Sequence, residues 1–175
     1  SPANRALAAE IAGKSVILRD SDGTLPLETA GKSVAVIGPS AIEARTFLGC
    51  YSFPNHIMGR MGSEENGVEI PTLLDSLRRE WPQADVEHQL GCPILEPDPS
   101  GIEAAVDLAR RSDVAVVTVG DLASLFGRGT SGEGCDVEDL TLPGSQAELV
   151  EAVLGTGTPV VLVVVSGRPY ALGDY

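Results

Sequence analysis

Three stretches of this chain are apolar throughout rather than at every second position: Ser33 to Ile37, Asp113 to Val119 and Thr158 to Val165. A strand with one wet face alternates, whereas a valine- and isoleucine-rich run without alternation is buried on both faces, as in a parallel sheet. Each run ends in a turn that contains glycine: Gly38-Pro39-Ser40, Gly120-Asp121 and Ser166-Gly167-Arg168-Pro169. Helical patterns fill the intervals. Residues 101–111 put Ile102, Ala105, Val106 and Ala109 on one face, and residues 145–154 form a helix that Gly155 and Gly157 close. A further helix starts near Pro71, carries Leu73, Leu74 and Leu77, and stops at Trp81-Pro82, with a weak strand over 84–90 behind it. At the start, Pro2 and Asn4 precede a helix through Ala6, Leu7, Ala8, Ala9 and Ile11 that Gly13 stops. Ser15 to Leu18 reads as a short strand and Asp20-Ser21-Asp22-Gly23 as a turn. Alternating strands and helices predict an α/β layered fold, with a mainly parallel sheet and helices on both faces.

The 175 residues suit a single domain. Twelve basic against 25 acidic residues give a net charge of −13, and the only lysines are Lys14 and Lys32. Nucleic acid and anionic membrane surfaces both need a positive patch, so neither is expected as a partner. The longest apolar run, Val160 to Val165, is strand-sized, and no membrane span is expected. No signal peptide is visible, which makes the cytoplasm the expected location, and the start at Ser1 fits a piece of something longer. Cys50, Cys92 and Cys135 contain no CxxC pair, so neither a zinc site nor a disulfide framework is expected; a Cys50–Cys92 bridge stays open. Ala-Gly-Lys-Ser-Val occurs at 12–16 and again at 30–34, hinting at a phosphate loop. The glycine that such a loop needs five residues earlier is Ala8 or Pro26, and each copy enters a strand instead of a helix. No cofactor is expected.

Ligands of such sheets sit beyond the carboxyl ends of the strands. Residues 122–143 lie there, in a glycine-rich loop far longer than a simple connection. Within it Glu133 stands between Gly132 and Gly134, where missing side chains let a carboxyl group approach a ligand closely. Arg128 and Asp136 offer opposite charges nearby. Such a carboxyl group is a candidate general acid, although acidic residues in glycine-rich loops are often simply solvated. His56, in Tyr51-Ser52-Phe53-Pro54-Asn55-His56, either lines a substrate entrance or simply faces solvent or packs. His88 has no evident partner, Trp81 reads as a core or edge anchor, and Cys135 as a small packing residue.

Several segments, taken in order, resemble the C-terminal α/β-sandwich domain of family 3 glycoside hydrolases, the β-glucosidase and β-xylosidase group. They are Ser15-Val16-Ile17-Leu18-Arg19-Asp20 with Gly23-Thr24-Leu25-Pro26-Leu27, then Val34 through Ala41, and Leu48-Gly49-Cys50-Tyr51-Ser52. Asp113-Val114-Ala115-Val116-Val117, Ser131-Gly132-Glu133-Gly134-Cys135-Asp136, Leu142-Pro143-Gly144-Ser145-Gln146 and Pro159 through Pro169 follow. The resemblance implies a three-layer sandwich and a retaining β-glycosidase in which two carboxyl groups lie roughly 5–5.5 Å apart. It implies that the nucleophilic aspartate belongs to a preceding barrel domain, absent here, and that Glu133 is the acid/base. Arg128, Asp136 and His56 become the substrate-binding candidates, with Asp136 also ordering the loop. Val137 replaces the arginine of the family's Asp-Arg pair, and Arg128 is the candidate substitute partner of Asp136. The implied partners are a glycoside or oligosaccharide and the barrel domain of the same polypeptide. The chain by itself is expected to be inactive, and the domain to continue past Tyr175. A non-catalytic carbohydrate-binding or scaffolding domain is the alternative.

Overall fold

A computed structural model describes residues 1–57, 69–173 and 175. The apolar runs form the strands β1 (Ser33–Ile37), β3 (Val114–Gly120) and β4 (Val160–Val165), and β2 (Asp85–Gln89) replaces the weaker run. The sheet order is β2-β1-β3-β4, and every neighbouring pair is parallel. The helices are α1 (Pro2–Ser15), the single turn α2 (Phe53–His56), α3 (Leu73–Glu80), α4 (Ile102–Arg110) and α5 (Gln146–Leu154).

The unbroken apolarity of β1 and β3 follows from their position. Ala35, Ile37, Ala115, Val117 and Val119 face α4 and α5 in one core. Val34, Val36, Val114 and Val116 face the other way, toward Leu74, Leu77 and Trp81 of the α3 region. Alternate residues therefore serve two cores, and each fully buried valine or isoleucine contributes about 1.5–3 kcal/mol. The result is three layers, with α4 and α5 on one side, the sheet in the middle and α3 on the other. The β4 residues are only partly buried, consistent with its place at one edge of this sheet.

Two local readings change. The helix near Pro71 begins two residues after it, at Leu73, so Pro71 lies outside the helix rather than at its first position. Thr72 is the cap: its hydroxyl accepts from the Asp75 N–H (3.0 Å) and donates to the Asp75 carboxylate (2.7 Å). Ser15 to Leu18 is not a strand. The first helix runs through Gly13 to Ser15, and Val16, Ile17 and Leu18 lie outside any strand and are 79, 86 and 66% exposed. Three apolar residues have β-propensity, but without a neighbouring ladder they have nothing to pair with. No helix among the described residues is long and apolar enough to cross a membrane.

Candidate active-site loop at the carboxyl ends of the strands

The loop over 122–143 is anchored where β3 stops. Gly120 has φ +135°, and a Cβ there would stand 2.0 Å from the Val165 carbonyl oxygen, so only glycine lets β3 and β4 end this close together. The fully buried Gln146 side chain fixes the same point from α5. Its Oε1 accepts from the Gly120 N–H (2.7 Å), and its Nε2 donates to the carbonyls of Gly120 (3.0 Å) and Ile94 (3.2 Å).

Asp121 comes next, with only 2% of its surface exposed. One carboxylate oxygen accepts from the Ser166 hydroxyl (2.9 Å) and the Gly167 N–H (3.0 Å). The other accepts from the Thr130 hydroxyl (2.9 Å) and the Tyr170 phenol. Burial, then the bond to Asp121, pushes the Tyr170 phenol far up, so it stays a donor. The Thr130 hydroxyl also accepts from the Leu122 N–H (2.9 Å). The Arg168 guanidinium donates to the carbonyls of Thr130 (2.6 Å) and Cys135 (2.7 Å). The outgoing limb of the loop, its return and the exit of β4 are thus tied to one buried carboxylate and one guanidinium.

Farther out, the two limbs hold each other through Ser124 N–H to Ser131 O (3.0 Å) and Phe126 N–H to Glu133 O (2.9 Å). Gly132 has φ +107°; a Cβ there would meet the Ser124 carbonyl oxygen at 2.2 Å and the Cys50 Cβ at 2.6 Å. The glycine is needed for this close packing of three backbone segments, a role distinct from access for a ligand. Glu133 itself is exposed. Its Oε2 accepts from the Tyr51 phenol, and that bond is the main cause raising the Tyr51 phenol above its ordinary range. The Tyr51 ring meets the His56 ring edge to face, with centroids 5.7 Å apart and planes at 88°. Asn55 seats this segment on the loop by donating to the carbonyls of Gly49 and Ala123, both at 3.0 Å.

The sequence candidates therefore separate. Glu133 and His56 share one cluster, linked through Tyr51. Arg128 and Asp136 are both exposed, and among the described residues they form no ion pair, so the substitution of Arg128 for the missing arginine does not occur. Arg168, reaching in from the end of β4, ties down this stretch at the Cys135 carbonyl instead. Cys50, Cys92 and Cys135 are free thiols, which removes the Cys50–Cys92 bridge; burial pushes the Cys92 thiol up to about 11. His88 has a partner after all, the Gly38 carbonyl at 3.4 Å. Sequence reading missed Tyr51, Asn55, Asp121 and Arg168 as contributors to the site. Asp121 carried a signal, an acidic residue directly behind the glycine that ends the most buried strand.

Residues 15–175 match the family model described as the glycosyl hydrolase family 3 C-terminal domain. The chain is 37% identical to a β-xylosidase of Formosa agariphila over 97% of its own length and 22% of the relative's. It is 32% identical to a lysosomal β-glucosidase of Dictyostelium discoideum over 97% of its length and 20% of the relative's. The chain thus spans about a fifth of the length of these curated relatives. Among solved structures, it resembles a β-glucosidase involved in saponin metabolism from intestinal bacteria with a TM-score of 0.82 at 28% identity. That match covers 98% of this chain and 26% of the other.

Proposed function

This chain belongs to glycosyl hydrolase family 3, as a C-terminal domain of that family, and on that premise we propose that it supplies Glu133 as the general acid/base of a retaining β-glycosidase. The nucleophilic aspartate comes from a barrel domain of the same polypeptide. The substrate is a glycoside ending in a β-linked sugar such as the xylose or glucose named for the relatives.

The observation that carries this reading is the contrast between an anchored loop and an exposed carboxyl group. Glu133 is exposed beyond the carboxyl ends of a parallel sheet, on a loop whose base is fixed by Asp121 and Arg168. A carboxyl group that must meet a sugar held by another domain needs that combination: a rigid support and an open face. In the first step the protonated Glu133 gives its proton to the glycosidic oxygen as the bond to the anomeric carbon breaks and the barrel's aspartate attaches to that carbon. In the second step the Glu133 carboxylate takes a proton from water, the water oxygen bonds to the anomeric carbon, and the aspartate leaves.

The test is Glu133→Gln in the complete enzyme. Turnover of an alkyl glycoside, whose leaving group must be protonated, should fall about 10²–10⁴-fold, and kcat/KM for a dinitrophenyl glycoside should fall far less. Equal losses on both would count against the acid role. Azide added to a Glu133→Ala enzyme should restore turnover and yield a β-glycosyl azide; an unaltered rate would favour a scaffolding domain.

A further inference from the structure

We infer that Tyr51 is a positioning residue for the Glu133 carboxyl group, occupying Oε2 so that the transferable proton sits on Oε1. The inference rests on the reading of Glu133 as the acid/base. It starts from a contact between residues 82 positions apart, in which the Tyr51 phenol donates to Oε2 of Glu133. A carboxyl group has two equivalent oxygens and free rotation about its last bond. In solution the acid proton visits both oxygens. A phenol that donates to one of them makes that oxygen an acceptor, and the acid proton of the neutral form is left on the other. A phenol has one proton to give, and beside the Glu133 carboxylate the bond between them raises the affinity of Tyr51 for that proton, so Tyr51 is the donor there.

The surroundings hold Tyr51 in place by contacts that do not involve Glu133. Its neighbour Cys50 packs on Gly132, the residue before Glu133, at a spacing that leaves no room for a Cβ. Asn55 bridges the Gly49 carbonyl on the Tyr51 segment to the Ala123 carbonyl on the loop, and Arg45 donates to the Asn55 side-chain oxygen at 3.3 Å. The His56 ring braces the Tyr51 ring edge-on. Phenol and carboxyl group are therefore carried on two segments that are fastened to each other on both sides of the contact. Tyr51 keeps its proton through both steps. In the first, the proton on Oε1 passes to the leaving oxygen; in the second, Oε1 takes the proton of the attacking water.

The experiment is a double-mutant cycle in the complete enzyme, with Tyr51→Phe and Glu133→Ala, reading kcat/KM on an alkyl and a dinitrophenyl glycoside. Phenylalanine keeps the ring against His56 and removes only the hydroxyl. Tyr51→Phe should lower kcat/KM for the alkyl glycoside about tenfold, the size of one hydrogen bond to a charged group, and change the dinitrophenyl value less than about twofold. In the Glu133→Ala background the same change should add less than about twofold on either substrate. An equal loss on both substrates, or an undiminished loss in the Glu133→Ala background, overturns the positioning role while leaving Glu133 as the acid. If Glu133→Ala alone shows no leaving-group dependence, the acid/base reading fails, and the role of Tyr51 fails with it.

Discussion

Asp121 gathers four donors onto one buried carboxyl group, from Thr130 on the loop and from Ser166, Gly167 and Tyr170 beyond β4. Asn would keep the shape but turn one acceptor oxygen into an NH2 group facing donors. Leaving buried donors unpaired costs more than the bonds themselves contribute. Asp121→Asn should therefore lower unfolding free energy by about 2–3 kcal/mol, read as a shift in urea midpoint with an unchanged slope. A loss below about 0.5 kcal/mol would mean that Arg168 and Gln146 hold the loop base without Asp121. At this scale, legibility in the sequence depended on whether a residue's role is local. Glu133 stands out in the sequence as a candidate because its glycine neighbours and the Ser-Gly-Glu-Gly segment are contiguous. Asp121 was visible as the residue behind a strand-ending glycine, yet its donors lie 9 to 49 positions away. Tyr51 and Arg168 had no local sign, because their partners are a side chain and two carbonyls brought near only by the folded sheet.

Strands with both faces buried announce themselves in composition, as β1 and β3 do; β4 also fell where unbroken valine and leucine placed it, although it is only partly buried at the sheet edge. Residues 15–18 have the same composition over a shorter length, and the preceding alanine-rich helix absorbed the first of them. β2 is the informative intermediate. It is polar and half buried, and it forms because β1 offers it a ladder from Ser33↔Asp85 to Ile37↔Gln89. His88 in this strand lies beside the Gly38 carbonyl. Burial, reinforced by the charge of Arg78, holds its proton affinity below the ordinary value of 6.5, against the opposing pull of that carbonyl. The sign follows from linkage: the unfolded chain takes up this proton first as pH falls. The contribution of neutral His88 is complete above pH 6.5 and is lost as pH falls through the lower folded value. The melting temperature should thus drop between about pH 7.5 and 5.5, and it should drop less in His88→Gln. Identical slopes in the two proteins would remove His88 as the cause. Glu87, lowered by its bond to Arg111, and Asp113, lowered by its bonds to Ser33, act in the same direction only below their ordinary 4.5 and 3.8, outside that window.

For the molecule as a whole, the net charge of −13 gives no attraction to a neutral sugar, so in the proposed reading recognition comes from shape and hydrogen bonds. On the loop face the Glu133 carboxyl group is bonded to Tyr51, whose ring meets His56. Asp136, the nearest acidic residue along the chain, is exposed and outside this cluster. Retaining hydrolysis requires a second carboxylate roughly 5–5.5 Å from the first, on the opposite side of the anomeric carbon, and a pocket that holds the ring between them. In the proposed reading both come from the barrel. The chain of residues 1–175 alone should then fold, with cooperative melting, and release no nitrophenol from nitrophenyl β-glucoside or β-xyloside above a buffer blank. The same residues joined behind a family 3 barrel should release it, and Glu133→Gln should change the fused protein's rate on alkyl glycosides most. Turnover by the separate chain that Glu133→Gln abolishes would mean that the nucleophile lies within these residues and that the two-domain site is wrong. Turnover that survives Glu133→Gln would point to a contaminating enzyme and would be checked by repurification. Silence in the chain with activity in the fusion is the outcome that a divided active site requires, because an acid held in place has nothing to protonate until the second domain delivers the sugar.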